Sequence, residues 1–327
     1  MKKVKQLLQA DISSVIVPII VIFTILAATS EGFLSSYNMY SVFQSVPIFV
    51  IVGLAQMVVL SLGQMNLAVG SIGVLSSVVF GFAMQNWGLP AAVCIMAACG
   101  AGLIQGFLQG ILITKSGINP FIISLALLSL YKGLALVITS GQPFSQLSEE
   151  FKSFGNIKIL NLFPATIFIA VLVSVIMFVI IRYRKLGKKL LACGSNGVAA
   201  VYSGVNFDKT VIAGHCLSGV LCAAAAILQV SRFGSVQLSI GDDWMLTSFV
   251  VPVLGGTLLS GGKVNVVGTF LGGFLMVLIN NAIVLWGVSS YATNAAVGII
   301  LLLAYEVDRM RKKMMTSQAE NAVEKEG

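Results

Sequence analysis

An all-α polytopic membrane bundle is the fold class this sequence predicts, and three observations predict it. Hydrophobic residues make up 57% of the 327 positions and charged residues only 10%, against roughly 45–50% and 25% in an ordinary soluble domain. The apolar stretches run for about twenty residues with hardly a charge between them, which only a lipid-facing surface tolerates. Within them Leu, Ile, Val, Ala and Gly follow one another without the every-second-residue alternation of an outer-membrane strand, so each stretch reads as a helix. The mean hydropathy of +0.97 excludes a soluble globule of this size. The formal net charge of +8 then reports topology and not affinity for nucleic acid, because the basic residues cluster beside apolar spans.

Breaks at charges, Pro/Gly and polar clusters delimit about ten spans, near 12–30, 43–62, 67–85, 91–113, 118–139, 163–182, 210–230, 244–259, 265–286 and 291–307, in one domain covering 1–327. The first follows Lys2, Lys3 and Lys5 like a signal peptide. Its apolar run from Ile12 to Ala28 exceeds the roughly 7–15 residues of such a core, so it reads as a retained span. The fourth carries Gly102, Gly106 and Gly110 at every fourth position, a ridge without Cβ atoms where another helix can approach, and Gly268 and Gly272 repeat the spacing in the ninth. The fifth opens after Asn119-Pro120 and carries Lys132 toward its outer end, where the ammonium can snorkel. Outside the spans, 140–162 is polar with Glu149 and Glu150, 183–209 is basic, and 308–327 is a polar tail. With the N-terminus inside, sixteen Lys/Arg fall on the inner side against three outside. Both termini are therefore expected in the cytoplasm; eight spans plus two re-entrant segments satisfy the same count.

No acidic residue is placed mid-span by these boundaries, which argues against a proton-coupled carrier. His215 is the single histidine, and the five cysteines, Cys94, Cys99, Cys193, Cys216 and Cys222, are odd in number and show no paired spacing. No cluster has metal-ligand spacing and no nucleophile elbow occurs, so neither a catalytic residue, a metal nor a cofactor is expected. Leu259-Ser260-Gly261-Gly262-Lys263 superficially approaches a nucleotide loop. Thr257 stands where the phosphate loop needs its first Gly, and Val264 where it needs a magnesium-holding hydroxyl. Any ATP must bind a partner subunit.

The spans contain neutral amides instead: Gln56, Gln64, Asn66, Asn119, Asn280, Asn281 and Asn294. Each must find a partner in the protein or line a wet cavity. Neutral amides suit hydroxyl-rich, uncharged solutes; Gln56, Asn66, Asn119, Asn280 and Asn281 are candidates for a translocation pathway, and gluing helices together is the competing role. On the basic inner segment, Asn196 is an N-cap, a short helical run follows, and Gly204 stops it. The small residues Ala199, Ala200 and Ser203 on that helix would seat in a groove of a partner.

Five motifs in order carry a resemblance: Gly63 to Ser71, Gly117-Ile118-Asn119-Pro120-Phe121-Ile122, Tyr131-Lys132-Gly133, Asn196-x-x-Ala199-Ala200-x-x-Ser203-Gly204, and Gly255 to Gly262 followed by Val267-Gly268-Thr269. Over about 40–307 the chain resembles the permease subunits of bacterial ABC sugar importers of the ribose type, in the branched-chain permease superfamily. The resemblance implies a multi-pass protein of the bacterial cytoplasmic membrane. It also implies a second permease, identical or paralogous, ABC ATPase subunits or a tandem ATPase, and an extracytoplasmic solute-binding protein. It makes 196–204 the coupling helix docking on the ATPase. Asn66 stands where that family usually has Asp, Ala68 where it has Ser, and Lys132 where Arg is more usual. A stand-alone carrier, ion-coupled or facilitative, is the alternative of a different class.

Overall fold

The computed structural model describes residues 2–159 and 163–287 with the single positions 295, 298 and 299, and side chains from residue 15 onward. Apart from those three positions, the expected tenth span at 291–307, Asn294 and the tail at 308–327 lie outside the described residues. The chain is helical almost throughout, with α1 Lys2–Thr29, α2 Ser36–Ser61, α3 Val69–Trp87, α4 Ala91–Ser116, α5 Pro120–Thr139 and α6 Glu149–Gly155. Then come α7 Thr166–Tyr183, α8 Lys185–Ser195, α9 Gly197–Tyr202, α10 Phe207–Phe233, α11 Trp244–Leu254 and α12 Val266–Leu285. Two two-residue strands, β1 Lys158–Ile159 and β2 Phe163–Pro164, pair antiparallel between α6 and α7.

Seven of these helices, α2, α3, α4, α5, α7, α10 and α12, are long and apolar enough to cross a membrane. Their packing follows from where their apolar residues lie. In α2 every residue from Val50 to Ser61 is buried, as expected of a helix that is hydrophobic all round. It stands at the centre with α3 and α10. Helices α4, α5 and α7 surround them and leave apolar faces outward, among them Leu103, Phe107, Leu125, Leu134, Leu172 and Val175.

Where backbones meet, glycine permits it. Gly102 and Gly106 of α4 lie against the carbonyl oxygens of Gly219 and His215 in α10, and a Cβ on Gly110 would stand 2.7 Å from the Cα of Ile212. Gly268 and Gly272 of α12 bring that helix against the carbonyls of Gly255 and Val251 at the end of α11.

The expected span at 244–259 takes a different form. Helix α11 has 11 residues, about 16 Å at 1.5 Å each, about half the thickness of a hydrocarbon core. Gly256, at φ +86°, opens the turn that follows its C-terminus. Before α11, residues 234–243 fold back into the protein instead of staying on its outer surface. Val236 bridges Phe144 and meets α3 at Gly81, Gly241 touches Gly70, and Trp244 packs over Gly73. The segment thus descends about 16 Å along α3, the rise of eleven helical residues. Non-helical backbone at that depth is tolerated only where protein or water covers it. Gly241, at φ +81°, makes the final bend possible, and Gly70 leaves room for its carbonyl.

Toward the C-terminal end of α3, α6 covers that helix through the Phe80–Phe151 ring pair, with centroids 4.6 Å apart. Gln44 of α2 donates to the Gly155 carbonyl at 3.2 Å. The five cysteines are all free thiols.

Candidate functional site

The bend at Gly241 places charge where the sequence-derived boundaries leave none. Asp242, expected in an outer loop, meets Lys132 of α5, whose ammonium donates to the Asp242 carboxylate. Lys132 lies 12 residues from the start of the 20-residue α5, about 18 Å along a helix of about 30 Å. Lys132 is thus ion-paired, with both side chains about half exposed. Together with Gly70, Ser71, Leu128 and Gly241 the pair lines a cavity of about 180 Å³. That is smaller than the roughly 300–1,000 Å³ of pockets for drug-sized ligands, so it suits a small solute. The sequence does carry a signal for this arrangement: Gly234 and Gly241 bracket a polar stretch, and Gly255-Gly256 cut the next apolar run short.

Below the cavity, the turn 63–68 is held inside the protein by amides. Turned to satisfy both its ends, the Gln56 side chain donates to the Asn66 carbonyl at 3.1 Å and accepts from the Asn66 N–H at 3.2 Å. Asn66 Oδ1 accepts from Ala68 N at 2.9 Å and from Gln109 Nε2 at 3.0 Å, while Gln64 bonds His215 Nε2 at 2.9 Å. Gln56 and Asn66 are fully buried and line no part of this cavity. The turn leads directly into α3, one wall of the cavity.

The remaining amides are dispersed. Asn119, exposed, caps α5 by accepting from Phe121 N at 2.9 Å. Asn281 exchanges hydrogen bonds with Asn38 at 2.7 and 3.1 Å, tying the end of α12 to the start of α2. Asn280 is half-buried, and its Oδ1 has no hydrogen-bond partner among the described residues.

At the end of the bundle where α2 finishes, α8 and α9 make a projecting knob. Asn196 Oδ1 accepts from Ala199 N at 3.0 Å, and the Ser203 hydroxyl donates to the Ala199 carbonyl at 2.9 Å. Gly204 closes the helix at φ +81°. Of the small residues expected to face a partner, Ala199 and Ser203 are exposed, whereas Ala200 turns inward and is buried. The outward face also carries Val198, Val201 and Tyr202, which is 89% exposed; a pattern of small residues does not point to these large ones. The base of the knob is tied to the bundle through the buried Leu190, which lies against Gly214 of α10, and through a close backbone contact. Gly194 packs on the Ser61 carbonyl and on Gly262, and Gly262 N donates to that same carbonyl at 3.1 Å.

Among the described residues no group of His, Cys, Asp and Glu could hold a metal. The Gly261-Gly262 stretch is a tight turn, with φ +87° and +76°.

This arrangement has relatives. The chain is 29% identical to the ribose import permease protein RbsC of Escherichia coli, over 91% of this chain and 93% of the relative. It is 32% identical to the ribose import permease protein RbsC of Bacillus subtilis, over 89% and 90%, and 28% identical to the fructose import permease protein FrcC of Rhizobium meliloti, over 91% and 86%. No solved structure matches it. Residues 38–305 match the family described as branched-chain amino acid transport system / permease component, and the chain, a multi-pass helical membrane protein, belongs to that family.

Proposed function

We propose that this chain forms the translocation pathway of an ABC importer for a sugar or a related small polar solute. Separate ATPase subunits, or one tandem ATPase, drive it, and an extracytoplasmic solute-binding protein feeds it. A second permease, identical or paralogous, completes the pathway. The chain sits in a bacterial cytoplasmic membrane with both termini in the cytoplasm, and α11 with its descending segment counts as one broken span among about ten.

The observation that carries this reading is the knob. Tyr202 projects into solvent, and the helix beneath it grips two turns at once, at Ser61 and at Gly262. One turn runs on into α3 and the other closes α11 against α12, so both lead to elements that wall the cavity. ATP-driven closure of a docked ATPase pair pushes on α9, and α8 passes the displacement to both turns as a rigid-body tilt. The relatives named for ribose and fructose import supply the substrate class. In this scheme Asn196 and Gly204 shape the knob, and Gln56 and Asn66 hold the inner turn that moves. Asn119, Asn280 and Asn281 mark the two ends of the pathway.

The test is ATP-driven uptake of radiolabelled D-ribose, D-fructose and D-allose by the complete importer in proteoliposomes. Tyr202→Glu, on an exposed side chain, is expected to cut uptake and ATPase stimulation together by about tenfold, the effect of about 1.4 kcal/mol, with melting temperature unchanged. Uphill uptake by the purified chain without ATPase would instead establish a stand-alone carrier.

A further inference from the structure

The Lys132–Asp242 pair is half exposed, 43% and 54% by side chain, and it sits about 18 Å along a helix of about 30 Å. Those two facts conflict if the exposed side faces lipid, because charged side chains at that depth are expensive and face a bundle interior or a water-filled cavity. The cavity beside the pair resolves the conflict. Among its lining residues Lys132, Asp242 and Ser71 are the ones with polar side chains, and Ser71 is already engaged with the Ala68 carbonyl at 3.0 Å. The pair is therefore the chief hydrogen-bonding surface that the cavity offers.

We propose that Lys132 and Asp242 line the solute pathway and form its recognition point for uncharged, polyhydroxylated solutes. A carboxylate is acceptor-only with two oxygens, and an ammonium is donor-only with three N–H groups. One Asp242 oxygen holds Lys132, and the other, without a hydrogen-bond partner among the described residues, can accept a hydroxyl. The ammonium has two further donors for the oxygens beside it. Within the pair the two charges cancel, so the pair by itself attracts neither cations nor anions, while either charge alone would select for ions.

This inference rests on the permease reading but is tested apart from it. Single cysteines at Leu128, Lys132 and Asp242 in the complete importer are exposed to charged, membrane-impermeant methanethiosulfonates, with Leu172→Cys on the outward apolar face of α7 as the control. Leu128→Cys keeps the ion pair intact should either charge be needed for folding. Labelling at all three sites about tenfold faster than at Leu172 is expected, the margin set by excluding a charged reagent from hydrocarbon. Lys132→Cys should favour the cationic reagent and Asp242→Cys the anionic one. In uptake, Asp242→Asn should raise KM by about tenfold for whichever sugar of the panel the wild type takes, and Asp242→Glu should recover part of it. Labelling no faster than at Leu172, or a KM within about twofold for Asp242→Asn, overturns the proposal while leaving ATP-driven import intact. Uptake without ATP alongside fast labelling overturns the importer reading and leaves the lining assignment standing.

Discussion

Asn66 works through its oxygen alone. Oδ1 accepts two hydrogen bonds, from Ala68 N and Gln109 Nε2, while Nδ2 is buried without a partner among the described residues. The position therefore asks for an acceptor, which explains how Asn can stand where the resembling family usually carries Asp. Asn66→Ala removes both acceptances and strands the Gln109 amide in a buried site, at a cost of about 1–3 kcal/mol. A lower melting temperature of the purified complex, with reduced uptake, is the expected result. Asn66→Asp keeps both bonds, strengthens them with charge, and is expected to retain uptake. Equal losses for the two substitutions would show that the side-chain oxygen is not what holds the turn.

Helices α4 and α10 show how much of an element is written in its residues. The spacing of Gly102, Gly106 and Gly110 announces a close-packed face, and α10 lies on that face with its own Gly219 against Gly102. Gly106→Leu must push the helices apart at the His215 carbonyl, and overpacking of this kind costs about 1–3 kcal/mol. A lower melting temperature should follow, whereas the same substitution at Gly133, where a Cβ meets nothing within 4 Å, should leave it unchanged. The broken span was less legible. Hydropathy sums composition over a window, and 244–259 is apolar enough to pass, but composition does not say where a helix stops. What breaks the span is local: the left-handed glycines Gly241 and Gly256, and a main chain that needs Gly70 beside it. The amides were legible as residues needing partners, but not as pairs. The partners of Asn66 come from α2 and α4, and that of Asn281 from the start of α2 243 residues earlier, separations at which one sequence carries no pairing information.

For the whole molecule the question is how a movement of the α8–α9 knob reaches the cavity beside Lys132 and Asp242. Gly194 is one tight point on that route. A Cβ there would collide with the Ser61 carbonyl and approach Gly262 N at 2.8 Å. Packed parts of this kind have discrete arrangements and do not deform continuously, so a displaced contact interrupts transmission more than it softens it. Gly194→Leu is expected to separate the α8 knob from the two turns while leaving the exposed face of α9, with Val198 and Tyr202, available to a partner. The complete importer should then still bind its ATPases and hydrolyse ATP, but move solute about tenfold more slowly, a loss of about 1.4 kcal/mol in coupling. Tyr202→Glu, which blocks docking itself, should lose hydrolysis stimulation and uptake together. Parallel measurement of ATPase rate and uptake in proteoliposomes separates the two. If Gly194→Leu loses both activities in step with Tyr202→Glu, α8 serves only to present the knob, and the push reaches the cavity by another path.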